Sequence, residues 1–304
     1  MAQRIKDPGV GVSSKYKAKR FINPDGSFNI KHINRPHTFA ELYDQMLTAS
    51  WWSFSLCVLV AYIVVNLLFA IVYMIDISAI TPPSGSYVKD FINAFNFSAQ
   101  TITTVGYGAI SPQTTWAGLV SSFEALIGLA SFSLMTGLLY GRFSQPRSNI
   151  RFSKPLVLRK HREGYAVMFR LMSLTTRVMI HPKAEVTLAL SRPDTEGNYH
   201  NEFFQIELER DTITYLPTTW TIVHPITEKS PLFGLSSEEL TELHGEFLIL
   251  VSYYDESFNK ELHQVYSYML KDLEIDRAFT KAFYYDEDGF TILDYDKIDH
   301  LEKM

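Results

Sequence analysis

The order of apolar and polar positions divides the chain into unlike stretches. Residues 1–35 are polar and turn-rich, with Asn23-Pro24-Asp25-Gly26 as a turn signal. They predict either no fixed structure or a short strand paired elsewhere. From His37 to Thr48, Phe39, Leu42, Tyr43, Met46 and Leu47 recur at helical spacing with Glu41, Asp44 and Gln45 opposite. That is the pattern of a helix lying on a membrane surface or packed on protein. Trp52 to Ile75 is then 24 residues without a charged side chain, and Trp116 to Tyr140 is 25 residues whose one charge is Glu124. At about 1.5 Å of rise per residue, either crosses a hydrocarbon layer about 30 Å thick. Between them Phe91 to Thr103 is apolar and aromatic but too short to cross, and so predicts a re-entrant helix. Asp90 is placed to cap its start, and the negative end of its dipole points past Thr103.

After about Ile150 the long apolar runs give way to short alternating segments rich in Val, Ile, Thr, Phe and Tyr. Tyr165–Leu171, Ala184–Leu190, Phe203–Leu208, Thr212–Leu216, Trp220–Ile226 and Glu246–Tyr254 predict strands, and their number predicts a β-sandwich. Asp286-Glu287-Asp288-Gly289 starts like a calcium loop but lacks the later acid; a hairpin turn between 282–285 and 290–293 explains it, and no metal is assigned. The boundaries expected are an N-terminal segment over 1–36, an interfacial helix over 37–49, a membrane domain over 50–143, a linker over 144–152 and a soluble domain over 153–304. Within the membrane domain the first span covers 51–76, the re-entrant helix 91–103, a loop 104–108 and the second span 115–143.

Charge adds orientation. Residues 1–50 carry eight Lys or Arg and residues 142–162 carry seven, whereas the segment between the spans carries only Lys89. The positive-inside bias then puts both termini in the cytoplasm of a cell-membrane protein crossing twice. Mostly polar residues precede the first apolar run, so the first span itself acts as the targeting element. The single cysteine, Cys57, lies in that span, which excludes an intrachain disulfide. The net charge of −5 averages over unlike parts, and no basic groove with interleaved aromatics points to nucleic acid. Nor is there a phosphate loop, a metal-ligand cluster or a nucleophile with its base, so the chain is not expected to be an enzyme and needs no cofactor. The basic cluster after the second span either sets topology or faces anionic headgroups.

The loop Thr104-Val105-Gly106-Tyr107-Gly108 carries the chemistry. Carbonyls of Thr104, Val105, Gly106 and Tyr107, with the Thr104 hydroxyl, can replace the water around a potassium ion if all face one axis. Gly106 and Gly108 tolerate the backbone angles this demands. The motif occurs once, so a full ring of such sites requires a homotetramer. The expectation is a potassium-selective pore domain, with pore helix and selectivity filter, followed by an all-β cytoplasmic sandwich.

That order resembles the inward-rectifier potassium channels. Gly164–Leu174 (GYAVMFRLMSL) is similar to the first strand of that family's cytoplasmic domain, and His224, Ile226 and Ser230-Pro231-Leu232 are similar to its HxI...SPL motif. The resemblance spans roughly residues 37–295 and implies an immunoglobulin-like sandwich that controls an inner gate. It places Phe132, Thr136 and Tyr140 on the pore, at i, i+4 and i+8 of one helix face, with Tyr140 as the gate and Gly128 as a hinge. Gly137 and Gly141 are expected to serve close packing. Arg142 and Arg147 fall on lipid-contact positions.

Five departures bear on mechanism. Strong rectifiers carry an acid where this chain has Phe132, and a vestibular acid aligns with His181, so the resemblance implies weak block by magnesium or polyamines at most. Gln145 replaces a lipid-contact position, and Ser50–Ser53 replaces basic residues before the first span. With no cysteines in the outer loop, the chain resembles the prokaryotic branch, often called KirBac, in which phosphoinositides inhibit. Glu124 is costly in a span; it is expected either to support the filter from behind or to be a structural carboxyl satisfied by pore-helix groups such as Gln100 or Thr101. The competing function is a membrane-anchored sensor that keeps a non-conducting pore-like region.

Overall fold

Hydroxyl caps start the membrane-type helices where the sequence turns apolar. The computed structural model describes residues 3–15, 19–34, 38–145, 148–176, 178–195 and 197–303. These form two units, one of residues 33–145 and one containing the described residues before 33 and after 147.

In the first unit Thr38 caps α1 (Phe39–Thr48), its hydroxyl accepting from the Glu41 amide. Ser50 does the same for α2 (Trp51–Tyr73) through the Ser53 amide, and Thr114 for α4 (Thr115–Phe143) through the Ala117 amide. Helix α3 spans Tyr87–Ile102. Helix α2 is about 35 Å long and α4 about 43 Å at the standard rise, and only 11% of the most apolar window of each is buried within the chain. Most of their apolar surface thus faces outward, as membrane spans require.

Two expected boundaries change. The regular first helix stops at Tyr73 rather than residue 76 and continues as a 3₁₀ stretch, Met74–Ala79, broken at Asp76 (φ −144°, ψ 89°). Helix α3 begins four residues before Phe91, with Ser86 at its N-cap. Asp90 is therefore not the cap; it lies in the first turn, buried, its carboxylate accepting from the Ser84 amide at 2.8 Å. It still favours the positive end of the helix dipole.

The second unit is the sandwich. Its strands are β1 (Arg4–Ile5), β2 (Ser13–Ser14), β3 (Ile150–Phe152), β4 (Leu156–His161), β5 (Gly164–Ser173), β6 (Met179–Pro193), β7 (Tyr199–Gln205), β8 (Tyr215–Leu216), β9 (Thr219–Pro225), β10 (Gly245–Asp255), β11 (Lys260–Met269) and β12 (Leu273–Ile275). One sheet runs β1-β7-β6-β10-β11, with β2 also on β7 and β8 on β6. The other runs β12-β4-β5-β3, with β9 along the free edge of β5. Inward positions from both sheets, among them Leu158, Leu171, Ile222, Val186, Leu188, Phe247 and Val251, form one core. The expected hairpin near the C-terminus is present, Phe283–Tyr285 pairing with Thr291–Leu293.

The expected strand over Phe203–Leu208 ends at Gln205. Ile206 adds one ladder bond to the Val186 carbonyl before the chain turns away. Of Thr212–Leu216 only the last two residues are strand, with Thr212 making an isolated bridge. Residues 150–152 of the expected linker are strand β3. The N-terminal segment is not a separate piece either. Beyond β1 and β2, Ile22 is buried, and the amides of Phe21 and Ile22 donate to the Glu246 carboxylate at 2.7 and 3.2 Å. Arg20 donates to Ser267 on β11. Gly26 of the predicted turn has φ +84°, and a Cβ there would lie 2.9 Å from the Val265 carbonyl oxygen.

The HxI...SPL residues make a closed polar chain in the core. Leu232 N–H donates to Ser230 Oγ at 3.2 Å, the Ser230 hydroxyl donates to His224 Nε2 at 2.8 Å, and His224 Nδ1–H donates to the Glu207 carbonyl at 2.7 Å. Only a neutral imidazole completes that chain. Burial holds the His224 imidazole below its ordinary value, so the unfolded chain takes up this proton first as pH falls. Its contribution to stability is complete above about pH 6.5 and declines below it. Thermal unfolding of the full-length protein is expected to lose midpoint between about pH 7 and 5, and His224→Gln, which cannot titrate, is expected to lose measurably less.

Candidate functional site

The segment after α3 owes its shape to the end of that helix. The Thr104 amide donates to the Thr101 carbonyl at 3.0 Å, and the amides of Val105 and Gly106 both donate to the Gln100 carbonyl, at 2.9 and 3.2 Å. Two last-turn carbonyls of α3, which no intrahelical partner serves, thus take the first three donors of the loop. Thr104, Gly106 and Gly108 have φ of 60°, 50° and 81°, with Val105 and Tyr107 outside the left-handed region between them. Only the glycines adopt that region without steric cost, and Thr104 is held there against its preference. Among the described residues no hydrogen-bond donor reaches the carbonyls of Thr104, Val105, Gly106 or Tyr107. The loop therefore presents a row of free oxygens.

Helix α4 has two contrasting faces. Ala117, Ser121, Glu124 and Gly128 are buried, and a Cβ on Gly128 would lie 2.1 Å from the Ile102 carbonyl oxygen at the end of α3. The expected hinge glycine has a packing reason first: it lets α3 rest on α4, which runs unbroken through it. Gly137, expected to serve packing, meets nothing within 4 Å in the chain, while Gly141 lies against Leu47 and Tyr43. Phe132, Thr136 and Tyr140 occupy an exposed face, Phe132 and Tyr140 being 73% and 74% accessible in the single chain.

Glu124 finds different partners from those expected. Its Oε2 accepts from the Tyr73 hydroxyl at 2.7 Å, and its Oε1 is hydrogen-bonded to Ser98 Oγ. Neither Gln100 nor Thr101 supplies a side-chain bond. The Thr101 hydroxyl is turned to the Phe97 carbonyl, and Gln100 Oε1 is buried without a partner. Gln100 acts on the loop through its main-chain carbonyl instead. Sequence reasoning missed Tyr73, Ser98 and Asn66. The available signal was that Asn66 and Tyr73 lie seven apart in an apolar run, on one helix face.

Residues 57–145 match the family described as ion channel, and residues 150–304 match the inward rectifier potassium channel C-terminal domain. The chain belongs to the inward-rectifier potassium channel family. It is 29% identical over 295 residues to the inward rectifier potassium channel Kirbac3.1 of Paramagnetospirillum magnetotacticum, covering 96% of this chain and 98% of that one. It is 24% identical to the G protein-activated inward rectifier potassium channel 2 of Mus musculus, over 93% of this chain and 71% of that one. To the G protein-activated inward rectifier potassium channel 4 of Bos taurus it is 25% identical, over 92% and 72%. As an inward rectifier the chain is a membrane-spanning channel protein, with its β domain cytoplasmic, and not an enzyme.

The inward-rectifier fold also relocates an expected lipid contact. Arg142 is only 8% exposed. Its guanidinium donates to the Met46 and Ala49 carbonyls, the latter at 2.7 Å, and lies 4.6 Å from the ring centroids of both Trp51 and Phe54. Those carbonyls end α1, where a cation is favoured, and two aromatic faces add to the attraction. Arg142 is thus spent on joining α1 and α2 to α4 rather than left open to a headgroup. Arg147 lies outside the described residues. Arg142→Gln is expected to raise amide exchange across residues 39–48 by about ten- to a hundredfold, the loss of hydrogen bonds to a charged group being about 1.5–3 kcal/mol. Gly128→Ala is expected to lower the thermal midpoint of the assembled protein, since overpacking costs about 1–3 kcal/mol. The control Gly137→Ala, whose Cβ meets nothing in the chain, is expected not to lower the midpoint, alanine being the better helix former.

Proposed function

We propose that four copies of this chain surround one axis and conduct potassium through the segment Thr104–Gly108, whose carbonyls replace the water of the ion. The observation that carries this reading is the division of labour in the loop: the amides of Thr104, Val105 and Gly106 are bound by the end of α3, while among the described residues the carbonyls of Thr104, Val105, Gly106 and Tyr107 meet no donor. One chain supplies a quarter of each cage. The exposed stripe Phe132, Thr136 and Tyr140 then lines the cavity, and four Tyr140 rings form the inner gate, excluding water and so ions when closed. Gln100 supports the filter with its carbonyl, and Gly128 fixes where α3 meets α4.

Regulation follows from the same reading. The cytoplasmic sandwich and anionic membrane lipids control the Tyr140 gate, with phosphoinositide-type lipids inhibiting. An aromatic at Phe132 and an imidazole at His181 offer little attraction to magnesium or polyamines, so rectification is weak.

The test is rubidium uptake into proteoliposomes holding a potassium gradient. Uptake is expected in the wild type, to be absent when sodium replaces potassium inside, and to be abolished in Gly106→Asp, which puts a side chain where φ is +50°. Equal uptake with sodium, or uptake surviving in Gly106→Asp, would overturn the filter assignment.

A further inference from the structure

The hydrogen atoms around Glu124 do not balance unless the carboxyl carries one. Asn66, Ser98 and Glu124 are wholly buried, as is Tyr73. Ser98 Oγ lies 3.0 Å from Asn66 Oδ1 and is also hydrogen-bonded to Glu124 Oε1. A serine hydroxyl has one proton and cannot donate to both oxygens. Turning the Asn66 amide over does not help, because its Nδ2 donates to the Tyr62 carbonyl at 2.7 Å, and the flip would set two acceptors against each other. Tyr73 has one proton too, and it is used on Glu124 Oε2. We infer that Glu124 is a carboxylic acid whose proton bonds Oε1 to Ser98 Oγ, so that Ser98 in turn donates to Asn66 Oδ1. The chain of bonds Tyr73→Glu124→Ser98→Asn66 is then complete, with no acceptor facing another.

The surroundings agree. Among the described residues no cation pairs with Glu124. The titratable group that faces it from α2 is Tyr73. On α3 the nearest is Asp90, eight residues before Ser98 and engaged by the Ser84 amide. On α4 the nearest are Tyr140, sixteen residues on and exposed, and Arg142, eighteen residues on and bound to Met46 and Ala49. In the 3₁₀ stretch Asp76 is hydrogen-bonded to Ser78. An ionised carboxylate without a partner here would cost several kcal/mol.

The chain of bonds joins α2, α3 and α4 at one level, and Ser98 stands two residues before Gln100, whose carbonyl holds the Val105 and Gly106 amides. Glu124 is therefore a positioning residue: its proton fixes the height of α3 against α4 and with it the loop. That functional part rests on reading Thr104–Gly108 as the filter.

Infrared difference spectra of the full-length protein in liposomes, wild type minus Glu124→Gln, test the protonation directly. A carboxylic-acid carbonyl band at neutral pH, absent from the variant and moved in Tyr73→Phe, is expected; carboxylate bands in its place would overturn the inference. If Glu124→Gln does not assemble, the movement of the band in Tyr73→Phe decides alone, and an unmoved or absent band overturns it. In the flux assay Glu124→Gln, whose amide can donate to Ser98 and accept from Tyr73, is expected to keep potassium selectivity within about twofold. Ser98→Ala, which breaks the chain, is expected to lose about tenfold, as one unsatisfied buried group costs about 1–3 kcal/mol. A variant Glu124→Gln that conducts sodium equally would overturn the positioning role. The infrared band does not depend on conduction, so it stands or falls apart from the filter assignment, which Gly106→Asp tests.

Discussion

Irregular backbone at membrane depth survives only if its polar groups are satisfied by protein or by a wet cavity, and everything in the helical unit follows from that constraint. Helix α3 meets it by offering the Gln100 and Thr101 carbonyls of its last turn to the amides that follow. An ordinary helix end leaves such carbonyls to water. Here they take the amides of Thr104, Val105 and Gly106, while among the described residues the loop oxygens from Thr104 to Tyr107 meet no donor and Thr104, Gly106 and Gly108 lie in the left-handed region. A side chain on Gly128, by holding the α3 terminus off α4, would disturb all of this from a distance.

The β domain solves a milder problem, since water can serve its edges. It nonetheless buries polar residues at defined places and matches them there: His224 with Ser230 and Glu207, Glu246 with the amides of Phe21 and Ile22. These groups order segments that apolar packing alone leaves free to slide, namely the turn after β9 and the N-terminal strap across β10 and β11.

Much of this was legible in the sequence because long-period signals are strong. Two runs longer than a bilayer, a five-residue motif and six alternating segments were enough to place the spans, the loop and the sandwich. What escaped was information held by partners. Strand β11, with Lys260, Glu261, His263 and Gln264 in its first half, lacks a clean alternation, and it is a strand because β10 pairs with it over its whole length. The start of α3 was placed late because Tyr87–Asp90 mixes apolar and charged residues, and only the tertiary burial of Asp90 shows why its charge is tolerated there. Glu124 could be recognised as costly but not matched, because its partners sit 51 and 26 residues away on other helices. Arg142 looked like a free cation after a span, whereas the carbonyls and rings that occupy it belong to residues almost a hundred positions earlier.

The strap that fastens Phe21 and Ile22 to Glu246 changes the order in which the chain can fold. The polypeptide leaves the β domain to enter the helical unit near residue 33 and returns to it after residue 145, so the β domain is assembled from two stretches with the whole helical unit between them in sequence. Strand β1 pairs with β7, and Phe21 and Ile22 donate to a carboxylate on β10. The first residues of the chain to be made are therefore among the last of the β domain to dock.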